Sequence, residues 1–202
     1  MFYRPAEGHG LPHNPFNAVI TPRPIAWISS RGSDGSDNLA PYSFFNGISY
    51  EPPQVMFATT SDKDDRPRGK DSLANIESSG VFCVNIVEFS SFAAMSETSG
   101  GYEREVDEFA HAGVEKVQCS EIDCPRVATA PASLECQLVD VIKLRGTANY
   151  MAIGEVIGIH LRDDCVKDGI FDITAYEPLA RLGYRDYTKV SEVFSLKRPG
   201  ET

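Results

Sequence analysis

From Arg23 to Thr60 the chain reads as three β-strands in succession, and no other run constrains the fold as strongly. Ala18 to Ser30 is mostly apolar and β-branched. Asn38 to Tyr50 carries Tyr42, Phe44, Phe45 and Ile48, and Pro53 to Thr60 reads PQVMFATT. Between the first two strands, RGSDGSDN has the composition of a flexible hairpin loop, because glycine, serine and aspartate tolerate the angles of tight turns. Pro41 donates no ladder hydrogen bond, so the sheet is expected to open or bulge at Ala40-Pro41-Tyr42. The backbone N–H groups of Tyr42 and Ser43 would then face the heteroatom edge of a ring system.

A second segment, Arg68 to Ile76 (RGKDSLANI), reads as a cationic loop running into a helix N-terminus. Arg66, Arg68 and Lys70 alternate around Pro67 and Gly69, and Asp71 or Ser72 supplies an N-cap for a short helix ending near Gly80. Free N–H groups and the positive end of the helix dipole gather there, with the Ser72 hydroxyl and the Lys70 charge beside them, which suits a phosphate. The competing reading is a solvated, ordinarily capped loop, since Asp62, Asp64, Asp65 and Asp71 offset the basic residues. The P-loop spacing GxxxxGK[ST] is absent. Together the two segments describe a slot for a flat, phosphorylated ligand.

The order of these motifs resembles the flavin reductase-like family with the FMN-binding split barrel. The resemblance is carried by Arg23-Pro24-Ile25-Ala26-Trp27-Ile28-Ser29, Asn38-Leu39-Ala40-Pro41-Tyr42-Ser43-Phe44-Phe45, Pro52-Pro53, and Lys70-Asp71-Ser72 with Asn75-Ile76. Gly80 to Ile86, Gly154 to His160 and Leu182-Gly183-Tyr184 with Tyr187 extend it. It implies a single, mainly β, antiparallel FMN-binding split β-barrel domain with a few helices over residues 14–190, between an extension at 1–13 and a tail at 191–202. It also implies a homodimer with flavin at or near the subunit interface. FMN is the implied cofactor, with FAD as the alternative and NADH or NADPH as co-substrate, and hydride passes from nicotinamide to flavin N5.

Residue by residue, the resemblance implies that Pro41, Tyr42 and Ser43 hold the isoalloxazine edge while Trp27 and Phe45 pack near it. Thr59, Thr60 and Ser61 would contact the ribityl chain or phosphate. Lys70, Asp71 and Ser72 would complete the phosphate cup, Asp71 as a cap more than a ligand because a carboxylate repels phosphate. His160 would lie beside the nicotinamide as the catalytic and substrate-binding histidine, and Tyr184 and Arg185 would cover the flavin or bind the dinucleotide. Without the family, His160 is a partly exposed strand histidine, Trp27 a core aromatic, and Tyr184 and Arg185 packing for the C-terminal segment.

At 202 residues and 42% hydrophobic content the chain suits one well-buried domain. A net charge of −10 argues against nucleic acid or an anionic membrane as main partner, so any anion site must be local. Five irregularly spaced cysteines make no disulfide framework, and MFYRPAEGHG lacks the apolar core of a signal peptide, so a cytoplasmic location is expected. Cys119 and Cys124 with His111 lack a second ligand pair, so no zinc is expected, while Cys83 and Cys136 sit in apolar strand-like runs and read as core.

Glu88 to Thr98 (stripe Phe92, Ala93, Met95) and Arg104 to Ala110 (stripe Val106, Phe109, Ala110) read as helices capping the barrel. Ser133 to Leu144 and Tyr150 to Leu161 read as long strands joined at Gly146, with Asp140 and Lys143 facing solvent. There is no βαβ alternation, GxGxxG, GxSxG or HExxH, so a cofactor that carries its own redox chemistry fits best. The favoured reading is a flavin reductase, able to serve a monooxygenase component through diffusible reduced flavin. The alternatives are an FMN-dependent oxidase of another small substrate and a non-catalytic FMN-binding electron carrier.

Overall fold

A computed structural model describes residues 1–60 and 71–200 of the chain. Ser61 and Lys70, expected in the phosphate cup, and the turn carrying Arg66 and Arg68 lie outside the described residues. A single helical turn, α1 (Phe16–Val19), precedes β1 (Arg23–Pro24), β2 (Ala26–Arg31), β3 (Asp37–Tyr42), β4 (Phe45–Tyr50) and β5 (Pro53–Thr59). Helix α2 (Asp71–Ser79), strand β6 (Val81–Ile86), helices α3 (Phe92–Glu97) and α4 (Glu108–His111) and the hairpin β7 (Lys116–Gln118) with β8 (Pro125–Val127) follow. The chain closes with β9 (Ala132–Lys143), β10 (Tyr150–Leu161), the hairpin β11 (Val166–Lys167) with β12 (Ile170–Phe171), and β13 (Leu179–Arg181) with β14 (Tyr187–Lys189). Among the described residues no helix is long and apolar enough to cross a membrane.

Seven strands form one antiparallel sheet in the order β3-β2-β6-β9-β10-β5-β4. Its two edges, β3 and β4, are consecutive in sequence and joined only by Ser43 and Phe44. The sheet must therefore curl until its edges nearly meet, which makes a mainly β split barrel. This corrects the expectation of one strand from Asn38 to Tyr50, because the chain crosses from one edge to the other within it. The first expected strand is also shorter than Ala18 to Ser30: the residues before Arg23 form α1 and a turn at Pro22.

Pro41 fits this edge without a bulge. The β2–β3 register runs unbroken from Ala26↔Tyr42 through Trp27↔Pro41 to Arg31↔Asp37. The Leu39 N–H points away from β2 and donates to Glu108 Oε2 at 3.1 Å. By strand alternation residue 41 also faces outward, where a missing N–H removes no ladder bond, and Tyr42 N–H turns back toward β2.

The curl gives the sheet two apolar faces. Inside lie Ile28, Tyr42, Phe57, Phe82 and Val84, with Leu73 and Ile76 of α2 plugging the end. The other face of β2 and β3 sets Trp27 and Leu39 against Met95 of α3 and Phe109 of α4. Each such fully buried side chain contributes about 1.5–3 kcal/mol. Helix α2 leads through Gly80, whose φ of +74° only glycine adopts freely, into β6. Helix α4 is shorter than the expected Arg104 to Ala110, and Ala93 and Ala110 point to solvent.

The barrel interior has no slack at Gly154, where a Cβ would meet Phe82 Cζ at 2.4 Å. Gly154→Ala is expected to lower stability by about 1–3 kcal/mol, as overpacking of a rigid core does. An unchanged urea-unfolding midpoint would contradict this packing.

Candidate functional site

Where the two sheet edges meet, a cavity of about 270 Å³ opens against the Ser43-Phe44 link. Strand β3 brings Pro41 and Tyr42 to it, and the end of β5 brings Ala58 and Thr59 with Thr60 beyond. The Ala58 N–H donates to Phe44 O at 2.8 Å, which fixes the link against β5. Arg23, Arg181, Leu182 and Tyr184 form the opposite wall. Of the residues expected in the site, Pro41, Tyr42, Ser43, Thr59, Thr60 and Tyr184 are thus brought together.

Arg23 and Arg181 are the residues that sequence reasoning missed. They are direct cross-strand partners in the β1–β13 ladder, where like charges normally destabilise. Arg23 is 6% exposed. It donates through Nη1 to Asn17 O at 2.5 Å and Ile20 O at 2.6 Å, and through Nη2 to Leu182 O at 2.9 Å. Its Nε is buried without a partner, and its guanidinium lies 5.7 Å from the centre of the Phe44 ring. Burial, then the Arg181 charge, lowers the Arg23 pKa. Arg181 donates to Tyr187 OH and to Tyr184 O and stacks on the Tyr187 ring at 4.4 Å. Among the described residues neither arginine has a carboxylate partner, and the cavity wall carries no acidic side chain. The arrangement is a local cationic pocket on an acidic chain, suited to an anionic group.

The wall is built for close approach. Tyr184 takes φ +56°, uncommon for a residue with a side chain and a mark of local strain, and its carbonyl is held by Arg181. Gly183 presses on α1, where a Cβ would come 2.4 Å from Ala18 Cβ. Arg23 ties the same segment, residues 17–20, to Leu182.

Beneath Pro41 and Tyr42 runs a buried chain of hydrogen bonds. Tyr42 OH donates to Ser72 Oγ at 3.1 Å, Ser72 donates to Asn38 Oδ1 at 2.7 Å, and Asn38 Nδ2 donates to Glu108 Oε1 at 2.9 Å. Burial pushes the Tyr42 phenol up to about 12. Burial likewise raises the Glu108 carboxyl, partly offset by the Leu39 amide. Ser72 is 1% exposed, and its hydroxyl is already bonded on both sides, to Tyr42 and Asn38. Asp71 and Ser72 both lie inside the described helix, so neither is its cap. Asp71 lines a hollow of about 60 Å³ beside Glu108, an acidic end opposite the arginines.

Four other expected residues stand elsewhere in this chain. Trp27 is 1% exposed in the outer core, where Nε1 donates to Thr98 Oγ1 at 2.8 Å. Phe45 pairs with Phe57 and packs inward, so alternation leaves Phe44 facing the cavity. Arg185 is exposed and lines a separate groove with Phe89 and Phe92. Tyr150 pairs with Thr59 at the cavity, but His160 lies ten residues further along β10, about 33 Å of extended strand. There His160 Nε2 bonds Glu135, a fully buried carboxylate that also accepts the N–H groups of Ser120 and Glu121 at 2.7 Å and of Ile122 at 3.2 Å.

Comparison with known proteins agrees with this architecture. The flavin reductase like domain matches residues 19–181. A protein of Deinococcus radiodurans is 38% identical over 90% of this chain and 82% of its own length. Nitrilotriacetate monooxygenase component B from Bacillus cereus superposes with a TM-score of 0.88 at 29% identity, covering 97% of this chain and 98% of that one. The 2-nitrobenzoate 2-nitroreductase of Pseudomonas fluorescens does so with a TM-score of 0.81 at 27% identity, covering 92% and 89%. The chain belongs to the flavin reductase-like family.

Glu135 generates a pH prediction. Burial raises its pKa, but the Ser120 amide, His160 and the Glu121 amide together outweigh burial and hold it below the ordinary carboxylate range. A depressed folded pKa gives stability that is complete above the unfolded value, about 4.3, and is lost as pH falls through the folded value. Glu135→Gln should lower stability near neutrality by about 1–3 kcal/mol and flatten the acid dependence below about pH 5, read from urea midpoints against pH. Parallel wild-type and variant curves would contradict it.

Proposed function

We propose that this member of the flavin reductase-like family is an NAD(P)H-dependent flavin reductase that binds FMN along the split of its barrel. The observation that carries the reading is the cavity at the end of the Pro41–Phe44 wall, whose two arginines have no carboxylate partner and whose lining has no acidic side chain among the described residues. An unpartnered buried Nε on Arg23 and a doubly cationic wall fit a phosphate. When bound, flavin supplies the redox chemistry, accepting hydride at N5 from a reduced nicotinamide nucleotide.

The chain's own residues bind and orient. Arg181, Thr59 and Thr60 hold the phosphate end, with Arg23 supplying charge and the wall's rigidity. Pro41 and Ser43 line one ring edge; Ser43 N–H and hydroxyl are the donors there, since Tyr42 N–H turns into the sheet. Tyr42, fixed through Ser72 and Asn38 to Glu108, keeps β3 in place beneath the ring. Tyr184 covers the mouth. Holding the two reactants in stacked register is the protein's catalytic contribution.

A homodimer belongs to the same reading. Ile157, Ile159 and Leu161 stand exposed in a row along the end of β10, an apolar face that pairing would cover. The likeness to a monooxygenase component B supports a role in handing reduced flavin to an oxygenase partner, and a cytoplasmic location follows from that role. A second reading keeps FMN and gives the cationic cavity to a small organic anion as substrate. The relative that acts on 2-nitrobenzoate, a carboxylate, favours it.

Oxidation of NADH or NADPH that rises with added FMN and needs no third substrate is expected; dependence on an added organic acid would replace the first reading by the second. Arg181→Ala should weaken FMN roughly tenfold to a hundredfold, the loss of a charged hydrogen bond, while riboflavin, lacking phosphate, changes little. Equal loss for both would remove Arg181 from the phosphate end. Ile159→Asp should shift the native mass toward one chain in light scattering, and an unchanged mass would dissociate this face from assembly.

A further inference from the structure

Three cysteines remote from the cavity are packed together. Cys83, Cys119 and Cys124 form a small buried cluster with Ile122, and all are free thiols. Cys119 and Cys124 close the β7–β8 hairpin. The ladder pairs Lys116 with Val127, Val117 with Arg126 and Gln118 with Pro125, and its next step brings Cys119 opposite Cys124. Cys119 N–H donates to Cys124 O at 3.0 Å, while Cys124 N–H turns to Ile122 O at 2.9 Å, so the two residues face each other at the mouth of the turn. Residues directly opposite on antiparallel strands have Cα atoms about 4.5–5.5 Å apart, within the roughly 4.4–6.8 Å range of disulfides. The side chains of Cys119, Cys124 and Cys83 pack in this one cluster.

From this geometry we propose that Cys119 and Cys124 are a dithiol modification site that peroxide converts reversibly to a disulfide. Cys119 is the attacking residue. It is 7% exposed where Cys124 is fully buried, and it sits at the base of a turn whose Ser120, Glu121 and Asp123 are exposed. The neighbouring thiols, Cys124 first and then Cys83, hold the Cys119 pKa below the ordinary thiol range, while Cys124, whose thiol donates to Ser29 O and to Pro125 O at 3.3 Å, is pushed up by Cys119 and by burial. The Cys119 thiolate attacks one peroxide oxygen: an S–O bond forms, the O–O bond breaks, and hydroxide leaves. Cys124 then attacks the sulfenic sulfur, forming S–S as S–O breaks, and its proton leaves with the departing hydroxide as water. Two thiols and one peroxide give one disulfide and two waters. The site is independent of flavin and of the reading proposed for the cavity.

The test uses the native full chain treated with hydrogen peroxide, unfolded in an alkylating reagent and digested with trypsin. Cleavage after Lys116 and Arg126 leaves both cysteines in one peptide, Val117 to Arg126. The expected product is that peptide unalkylated and lighter by two hydrogens, restored by dithiothreitol, with the free-thiol count of the chain lower by two. In Cys124→Ser a Cys119 sulfenic acid trapped by dimedone is expected; in Cys119→Ser no internal link. A wild-type peptide that stays fully alkylated, a Cys119 sulfinic acid, or a cross-link to the peptide carrying Cys83 would overturn the proposal.

Discussion

The two-residue link between β3 and β4 is the constraint on which the rest of this structure depends. Ser43 and Phe44 must join opposite edges of a seven-stranded sheet, and no flat sheet allows that. Curling the sheet hides one apolar face inside the barrel and leaves a seam where backbone groups of two edge strands meet. Pro41 blunts that seam on the β3 side, and the Glu108 carboxylate occupies the outward Leu39 N–H. The same seam that threatens edge-to-edge pairing is where the cavity proposed for the flavin opens. Site and fold thus have one cause.

Charge then decides what the seam can hold. The chain carries ten more acidic than basic charges, yet the cavity wall presents Arg23 and Arg181 side by side with no carboxylate among the described residues. Arg23 spends its Nη donors on three carbonyls, so it is a structural clamp that also leaves an unneutralised charge at the wall. At the other end, Asp71 and Glu108 make the neighbouring hollow acidic. In the proposed reading, the anionic end of a ligand goes to the arginine wall.

Much of this was legible in the sequence, for physical reasons that can be named. The β5, β6, β9 and β10 strands are apolar, β-branched runs with clear ends, and α2 ends at a glycine, so their places are within a residue or two of expectation. Pro41, Ser43, Thr59 and Thr60, expected together, do line one cavity, because residues near one another in sequence carry the seam. The break at Ser43-Phe44 was hidden, since apolar residues continue on both sides and neither residue signals a turn. Arg23 and Arg181 were missed because only the β1–β13 pairing joins them. His160 and Trp27 are placed away from the cavity, and the structural reading of each was also open from the sequence. Each is a conspicuous residue in a motif, and each is occupied structurally, His160 by Glu135 and Trp27 by Thr98. Ser72 is a similar case: its helix-start position suggested a ligand, but its hydroxyl belongs to the buried chain from Tyr42 to Glu108.

A crystal structure of the protein soaked with FMN tests the central claim most directly. The account predicts ring density along Pro41 to Phe44 at the barrel seam, with the phosphate between Thr59, Thr60 and Arg181. Ordered FMN bound away from the seam, or bound there with its phosphate turned toward Asp71 and Glu108, would contradict it.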